Sequence, residues 1–252
     1  TTLLHSPIKP SNYLKKKRVS FMKPLKKLEG RVALVTGASR GIGAAAAKSL
    51  AAEGAHVILL ARTKAGLEET YDIINENGGT STIMPFDLTH LDELEALGPT
   101  ILERFKRLDI WVANAGKLGT LTPVSHSKIK DWRDVYTLNV LSNVQMIRTL
   151  EPLLKVSDAG RAIFVGSGMG VDPYAFYGEY GVSKAAVMFL AKTWSEETKH
   201  TNIKINIVRP GAIDTELLAE AFPGGYHGPG LRMPEDIASM FVELSLPSCM
   251  RH

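Results

Sequence analysis

From Arg31 onward, six short runs rich in β-branched and aliphatic residues recur along the chain: Val32–Val35, Val57–Leu60, Thr82–Met84, Ile110–Ala113, Ala162–Val165 and Ile203–Val208. The first, fourth and fifth are nearly continuous apolar runs, the pattern of strands covered on both faces rather than on one. Strands of that kind run parallel and need long crossovers. The segments Ile42–Glu53, Ala65–Asn77, Leu91–Phe105, Lys130–Leu154 and Tyr177–Lys199 have the length and amphipathic pattern to supply them. A last helix is predicted over Pro234–Ser245, opening on a proline where a helix tolerates one. The alternation predicts an α/β fold, a doubly wound parallel sheet flanked by helices on both faces. At 252 residues with 44% hydrophobic content, one such core accounts for the chain.

Charge divides the chain. Eight of the 30 basic residues and none of the 26 acidic ones fall within residues 1–28, so the rest is net acidic. That distribution argues against a basic groove for nucleic acid, and none is expected as a partner. We read residues 1–28 as a basic leader or extension, whose composition also suits an organellar transit peptide, and residues 29–252 as one domain. Cys249 is the one cysteine, which excludes an internal disulfide framework and makes the cytoplasm the expected compartment. No stretch approaches the roughly 18 to 20 apolar residues of a membrane span, and no His, Cys or carboxylate cluster has metal-ligand spacing. The turn-rich stretch around Phe222–Gly230 predicts a mobile loop over about 216–232.

Directly after the first predicted strand stands Thr36-Gly37-Ala38-Ser39-Arg40-Gly41-Ile42-Gly43, opening into an alanine-rich helix. Glycines there allow a tight turn and a close backbone approach, and the free amides and dipole of a helix N-terminus favour a pyrophosphate. Further on, Tyr180-Gly181-Val182-Ser183-Lys184 places a phenol and an ammonium on one helical face. A phenol with an ordinary pKa of about 10 transfers protons poorly at neutral pH, and an adjacent cation favours its ionised form.

At these motifs the chain resembles the short-chain dehydrogenase/reductase family, from about Arg31 to about Ser245, and the resemblance implies its Rossmann-like fold. Asn114-Ala115-Gly116 matches the family's segment after the fourth strand, and Asp87-Leu88 the pair that holds the adenine ring, although Asp87 alone could equally cap a turn. Ser167 stands thirteen residues before Tyr180, the family's spacing. The resemblance implies reversible hydride transfer between a nicotinamide cofactor and a small-molecule carbonyl or alcohol. In it Tyr180 transfers the proton, Ser167 orients the substrate oxygen, Lys184 binds the nicotinamide ribose and tunes Tyr180, and Asn139 holds a water on a proton relay. Pro210-Gly211-Ala212-Ile213-Asp214-Thr215 matches the segment whose Ile213 backbone and Thr215 hydroxyl hold the nicotinamide carboxamide. Tyr174, Phe176 and Tyr177 are either one wall of the substrate pocket or core.

NAD-using members of the family commonly carry an acid after the second strand. This chain has Ala61-Arg62-Thr63 there and a second arginine, Arg40, in the glycine-rich turn. Guanidinium groups suit a 2′-phosphate, so NADP(H) is expected in preference to NAD(H). A 3-oxoacyl-thioester (acyl carrier protein) reductase and a non-catalytic dinucleotide-binding redox sensor are the alternative readings. The long helix Tyr177–Lys199 could pair with a symmetry mate, giving a homodimer or homotetramer.

Overall fold

Strand β1 (Val32–Thr36) is buried at every position and pairs in parallel with β2 (His56–Ala61) on one side and with β4 (Ile110–Ala113) on the other. With β3 (Thr80–Pro85), β5 (Arg161–Val165) and β6 (Lys204–Val208), these form one six-stranded sheet in the order β3-β2-β1-β4-β5-β6, every pair parallel. The computed structural model describes residues 26–251. Because the chain leaves β1 for β2 and returns from β3 to β4 on β1's other side, the crossovers diverge at the carboxyl ends of β1 and β4. That divergence opens the crevice in which sheets of this type bind ligands.

Side chains alternate along β1 between two cores. Ala33 and Val35 pack with Ala46, Ala47 and Leu50 of α1 (Gly41–Ala52) and Phe241 of α8 (Ala238–Ser245). The alanines of α1 let that helix lie close to the sheet, which brings its N-terminus over the crevice. Leu34 faces the second core, with Trp111, Leu150 of α5 (Ser142–Val156) and Trp194 of α6 (Gly178–Thr198). There Trp111 meets Phe164 edge-on at 5.1 Å, and Trp194 closes the cluster. Helices α2 (Lys64–Glu76) and α3 (Leu97–Phe105) complete the crossovers.

At the amino end of the sheet, Asp109 is fully buried. Its carboxylate accepts from the Val32 amide at 2.8 Å, from Ser157 Oγ at 2.6 Å, and from Arg107 Nε and Nη2 at 2.8 and 2.6 Å. Burial pushes this carboxyl up, but the bonds from Arg107, Ser157 and Val32 outweigh it and hold the group below its ordinary value.

Four segments differ from the expectation. The predicted helix over Pro234–Ser245 is a 3-10 turn, Pro234–Ile237, followed by α8. The predicted helix over Leu91–Phe105 is a short 3-10 turn, Glu93–Ala96, followed by α3. The predicted helix over Lys130–Leu154 is two, α4 (Ile129–Tyr136) and α5, joined by a π-helical turn at Thr137–Leu141. The region assigned to a mobile loop begins with helix α7 (Glu216–Ala221), which Thr215 caps by accepting from the Leu218 amide at 3.2 Å. Most of the basic leader lies outside the described residues. Leu28, which composition placed within it, is fully buried and donates its amide to Glu53 O at 2.8 Å.

Candidate active site

The ends of β1 and β4 are joined by hydrogen bonds that shape the glycine-rich turn. Thr36 Oγ1 donates to Val112 O at 3.2 Å and accepts from the amides of Asn114 and Ala115 at 3.0 and 3.1 Å. Asn114 Nδ2 donates to Thr36 O at 2.9 Å and to Gly37 O at 3.3 Å. Gly37 has φ +66°, and a Cβ on Gly43 would lie 2.1 Å from Gly37 O, so neither position admits a side chain. Arg40, the N-cap of α1, makes no side-chain bond to the first-turn amides. Those amides and the close-packed turn fit the pyrophosphate of a dinucleotide.

The turn opens onto a cleft of about 1230 Å³. Gly37, Ser39, Arg40, Gly41 and Ile42 line it, as do Arg62, Thr63 and Leu88 on the β2–β3 side. Asn114, Ala115 and Gly116 line it from β4, and Pro210, Gly211, Ile213 and Thr215 from beyond β6. The last segment is braced by the stretch that returns after α7: Asp214 donates its amide to Arg232 O at 2.8 Å and Arg232 its amide to Ala212 O at 3.1 Å. Gly43 lies under the turn rather than on the cleft surface. Asp87 is not on that surface either; its Oδ1 accepts from Thr89 N at 2.9 Å and Thr89 Oγ1 at 2.8 Å, so of the two readings open for it the turn cap is what its contacts display. Burial raises Asp87, but the bonds from Thr89 and the charge of Arg62 hold it below its ordinary value.

Ser167, Tyr180 and Lys184 meet in the same cleft. Ser167 follows β5 with an extended backbone, and its Oγ accepts from Met169 N at 3.2 Å. Tyr180 and Lys184, one helical turn apart on α6, are both buried. Lys184 Nζ lies 5.7 Å from the Tyr180 ring centre and donates to Val165 O at 2.8 Å. Burial lowers the Lys184 ammonium to about 8. Burial also raises the Tyr180 phenol, and its hydrogen bond with Ser167 opposes the rise.

Asn139 is buried in the π-helical turn and does not reach the cleft surface. Its Nδ2 donates to Lys117 O and to Ser183 Oγ, each at 2.9 Å, while its Oδ1 accepts from Lys117 N at 2.9 Å. The wider π turn reorients this one position on an otherwise continuous helical path, so that the amide clamps the loop after β4 against α6. Of the three aromatics before Tyr180, Tyr174 lines the cleft, whereas Tyr177 packs behind it on Phe222 and Phe176 is exposed with φ +76°. Sequence reasoning missed Thr36, whose strand-end position beside the glycines was the available signal. Phe222 and Tyr226, which sequence reasoning placed only within the loop over about 216–232, line the cleft from the segment after α7.

A family model described as short chain dehydrogenase matches residues 31–224. The chain belongs to the short-chain dehydrogenase family. An uncharacterized oxidoreductase, YciK, of Escherichia coli strain K12 is 34% identical over 220 residues, 86% of each chain. Among solved structures, a short chain dehydrogenase from Pseudomonas syringae has a TM-score of 0.84 and 37% identity over 88% of this chain and 92% of its own. Another, from Shigella flexneri 2a strain 301 and complexed with NADP, has a TM-score of 0.83 and 34% identity, with 88% and 93% covered. This short-chain dehydrogenase is therefore an oxidoreductase of carbonyl or alcohol groups with a dinucleotide site. Among its described residues no helix is long and apolar enough to cross a membrane.

Proposed function

We propose that the protein is an NADPH-dependent carbonyl reductase, running in reverse as an alcohol dehydrogenase, with Ser167, Tyr180 and Lys184 as its reacting groups. The observation that carries this reading is their convergence in one cleft that continues to the Gly37–Gly43 turn. The Gly37–Gly43 backbone would hold the pyrophosphate, Arg40, Arg62 and Thr63 the 2′-phosphate, Leu88 the adenine, and Ile213 and Thr215 the carboxamide. When bound, NADPH supplies the hydride that adds to the carbonyl carbon.

The chain's own part is geometry and proton supply. Ser167 Oγ donates to the carbonyl oxygen and fixes its position. Tyr180 Oη gives that oxygen the proton that completes the alcohol. Lys184 lies against Tyr180 and, as an ammonium, favours the phenolate left behind, which then recovers a proton from solvent. Asn139 belongs to the relay by holding Lys117 and Ser183 on either side of the path. The reductase is also proposed to act as a homodimer or homotetramer, because α6 exposes Val182 and Phe189 on the face turned away from the sheet.

The test is NADPH oxidation over a panel of carbonyls, with Tyr180→Phe beside the parent. The ring is kept and the transferable proton removed, so kcat should fall by about 10² to 10⁴ while NADPH binding, read by fluorescence, stays near that of the parent. A Tyr180→Phe variant with parental kcat would sink the assignment.

A further inference from the structure

Beside Ser167 and Tyr180 the cleft has a mouth lined by Tyr174, Phe222 and Tyr226, which hydride transfer itself does not require. One side of it is a succession of aromatic rings. Tyr174 and Tyr177 have centroids 6.5 Å apart at 80°, Tyr177 and Phe222 6.3 Å at 39°, and Phe222 and Tyr226 5.1 Å at 75°. Tyr177 anchors the rest: its hydroxyl donates to Ala221 O at 2.7 Å, tying the end of α7 to the start of α6. Beneath the rings, Leu118, Tyr180 and Ala221 are buried together, with Met169 and Leu217 packed against them. An apolar surface fixed in this way is pre-formed, so a ring-bearing ligand would not have to order it on binding.

Carboxylates outnumber the cations Arg40, Arg62, Lys117 and Lys184 along the cleft. Asp172, Asp214 and Glu220 line it, against Lys117 on the loop after β4. Glu216 and Glu235 also line the cleft and are paired with Arg40 and Lys48. Arg62 follows β2, on the far side of β1 from β5 and β6, and Arg40 is paired with Glu216 at the start of α7. A phosphate- or carboxylate-bearing tail would leave water to meet carboxylates, a juxtaposition that lowers affinity.

We propose that this mouth selects uncharged ketones, and the matching secondary alcohols, that carry two or more rings, and that it rejects substrates with anionic tails, including phosphopantetheine thioesters. The inference rests on the reductase reading above and refines it. The chemistry is unchanged: a ketone, one hydride and one proton give one secondary alcohol.

The experiment measures NADPH oxidation by the full chain on cyclohexanone, acetonaphthone, the carboxylated analogue of acetonaphthone, and acetoacetyl-coenzyme A. The expected result is a kcat/KM for acetonaphthone at least about tenfold above that for its carboxylate and for the thioester. Asp172→Asn with Glu220→Gln should narrow the gap between acetonaphthone and its carboxylate by about threefold or more. Tyr174→Ala and Phe222→Ala should each lower the ratio of acetonaphthone to cyclohexanone by about fivefold, the worth of one aromatic contact. Equal rates on acetonaphthone and either anionic substrate would overturn the substrate class and leave the reductase standing. Ratios that do not move in the aromatic variants would overturn the role of the wall. If no carbonyl is reduced although NADPH binds, the reductase reading and this inference fall together.

Discussion

Arg40 Nη1 lies 2.7 Å from Glu216 Oε2, so the cation of the glycine-rich turn is tied to the first residue of α7. Both side chains are about two-thirds exposed, 65% and 64%, and such pairs contribute at most about 1 kcal/mol. If Arg40 serves the 2′-phosphate, Glu216 competes for it. Glu216→Gln should therefore lower the KM for NADPH by about two- to fivefold, with a smaller change for NADH, which offers no 2′-phosphate. Steady-state kinetics with both cofactors decide the matter, and an equal shift for the two would show that Arg40 reads the pyrophosphate instead.

The second arginine can be tested apart from α7. Arg62 follows Ala61 at the end of β2, where no carboxylate stands to accept ribose hydroxyls. A charge-assisted contact is worth about 1.5 to 3 kcal/mol, so the parent should prefer NADPH by at least about tenfold in kcat/KM. Ala61→Asp with Arg62→Ala should remove or invert that preference. A parent that uses NADH equally well, or a double variant with the parental ratio, would refute the assignment.

These sites were legible to unequal degrees, for physical reasons. Val32–Thr36 and Ile110–Ala113 are buried throughout because helices cover both sheet faces, so each reads as an unbroken apolar run. The glycine-rich turn was legible because Gly37 and Gly43 answer to backbone contacts that no other residue could meet. The break at Asn139 was not, since a π turn inserts no residue type of its own and Leu138-Asn139-Val140 continues the helical pattern. Helix α7 was hidden by the glycines and prolines after it, although Thr215-Glu216 is a sound N-terminal pair. The aromatic mouth depends on Tyr177 and Phe222 meeting across a long sequence separation, and no local pattern records such a meeting.

Lys184 offers a trade between activity and stability. Its ammonium is lowered from 10.5 to about 8 by burial, so the folded state favours the neutral amine. Below pH 8 the group is charged in both states and the full cost, about 3 kcal/mol, is present; stability then rises as pH climbs from about 8 towards 10.5. Lys184→Met keeps much of the volume and removes the charge, but leaves Val165 O without its donor, which returns about 2 kcal/mol. The variant should lose turnover yet melt about 2 to 4 °C higher at neutral pH, with the gain shrinking as pH approaches 10.5. Thermal melts at neutral and alkaline pH check this, and a lower Tm at every pH would show that the ammonium stabilises the fold.

Asp109 carries the opposite pH dependence. Its carboxyl is held below the ordinary value by Arg107, Ser157 and the Val32 amide despite full burial, so its contribution is present above the unfolded value near pH 4. That contribution disappears as pH falls through the folded value. Asp109→Asn retains an acceptor for Val32 N, but it places an NH2 group where Ser157 Oγ and Arg107 Nη2 now donate and strips Arg31 and Arg107 of the buried charge they share. Breaking such a pair costs about 3 kcal/mol, or about 6 to 12 °C in Tm for a domain of this size. The loss should be full at pH 7 and begin to shrink below about pH 4, where the unfolded chain's carboxyl takes up a proton that the folded one accepts only at lower pH. Because Asp109 sits at the amino end of the sheet and the cleft at the carboxyl end, KM for NADPH should not change below the melting range. Parallel melts of parent and variant across acidic pH decide it: a Tm difference that persists unchanged into strong acid would mean that the amide destabilises through packing rather than through charge.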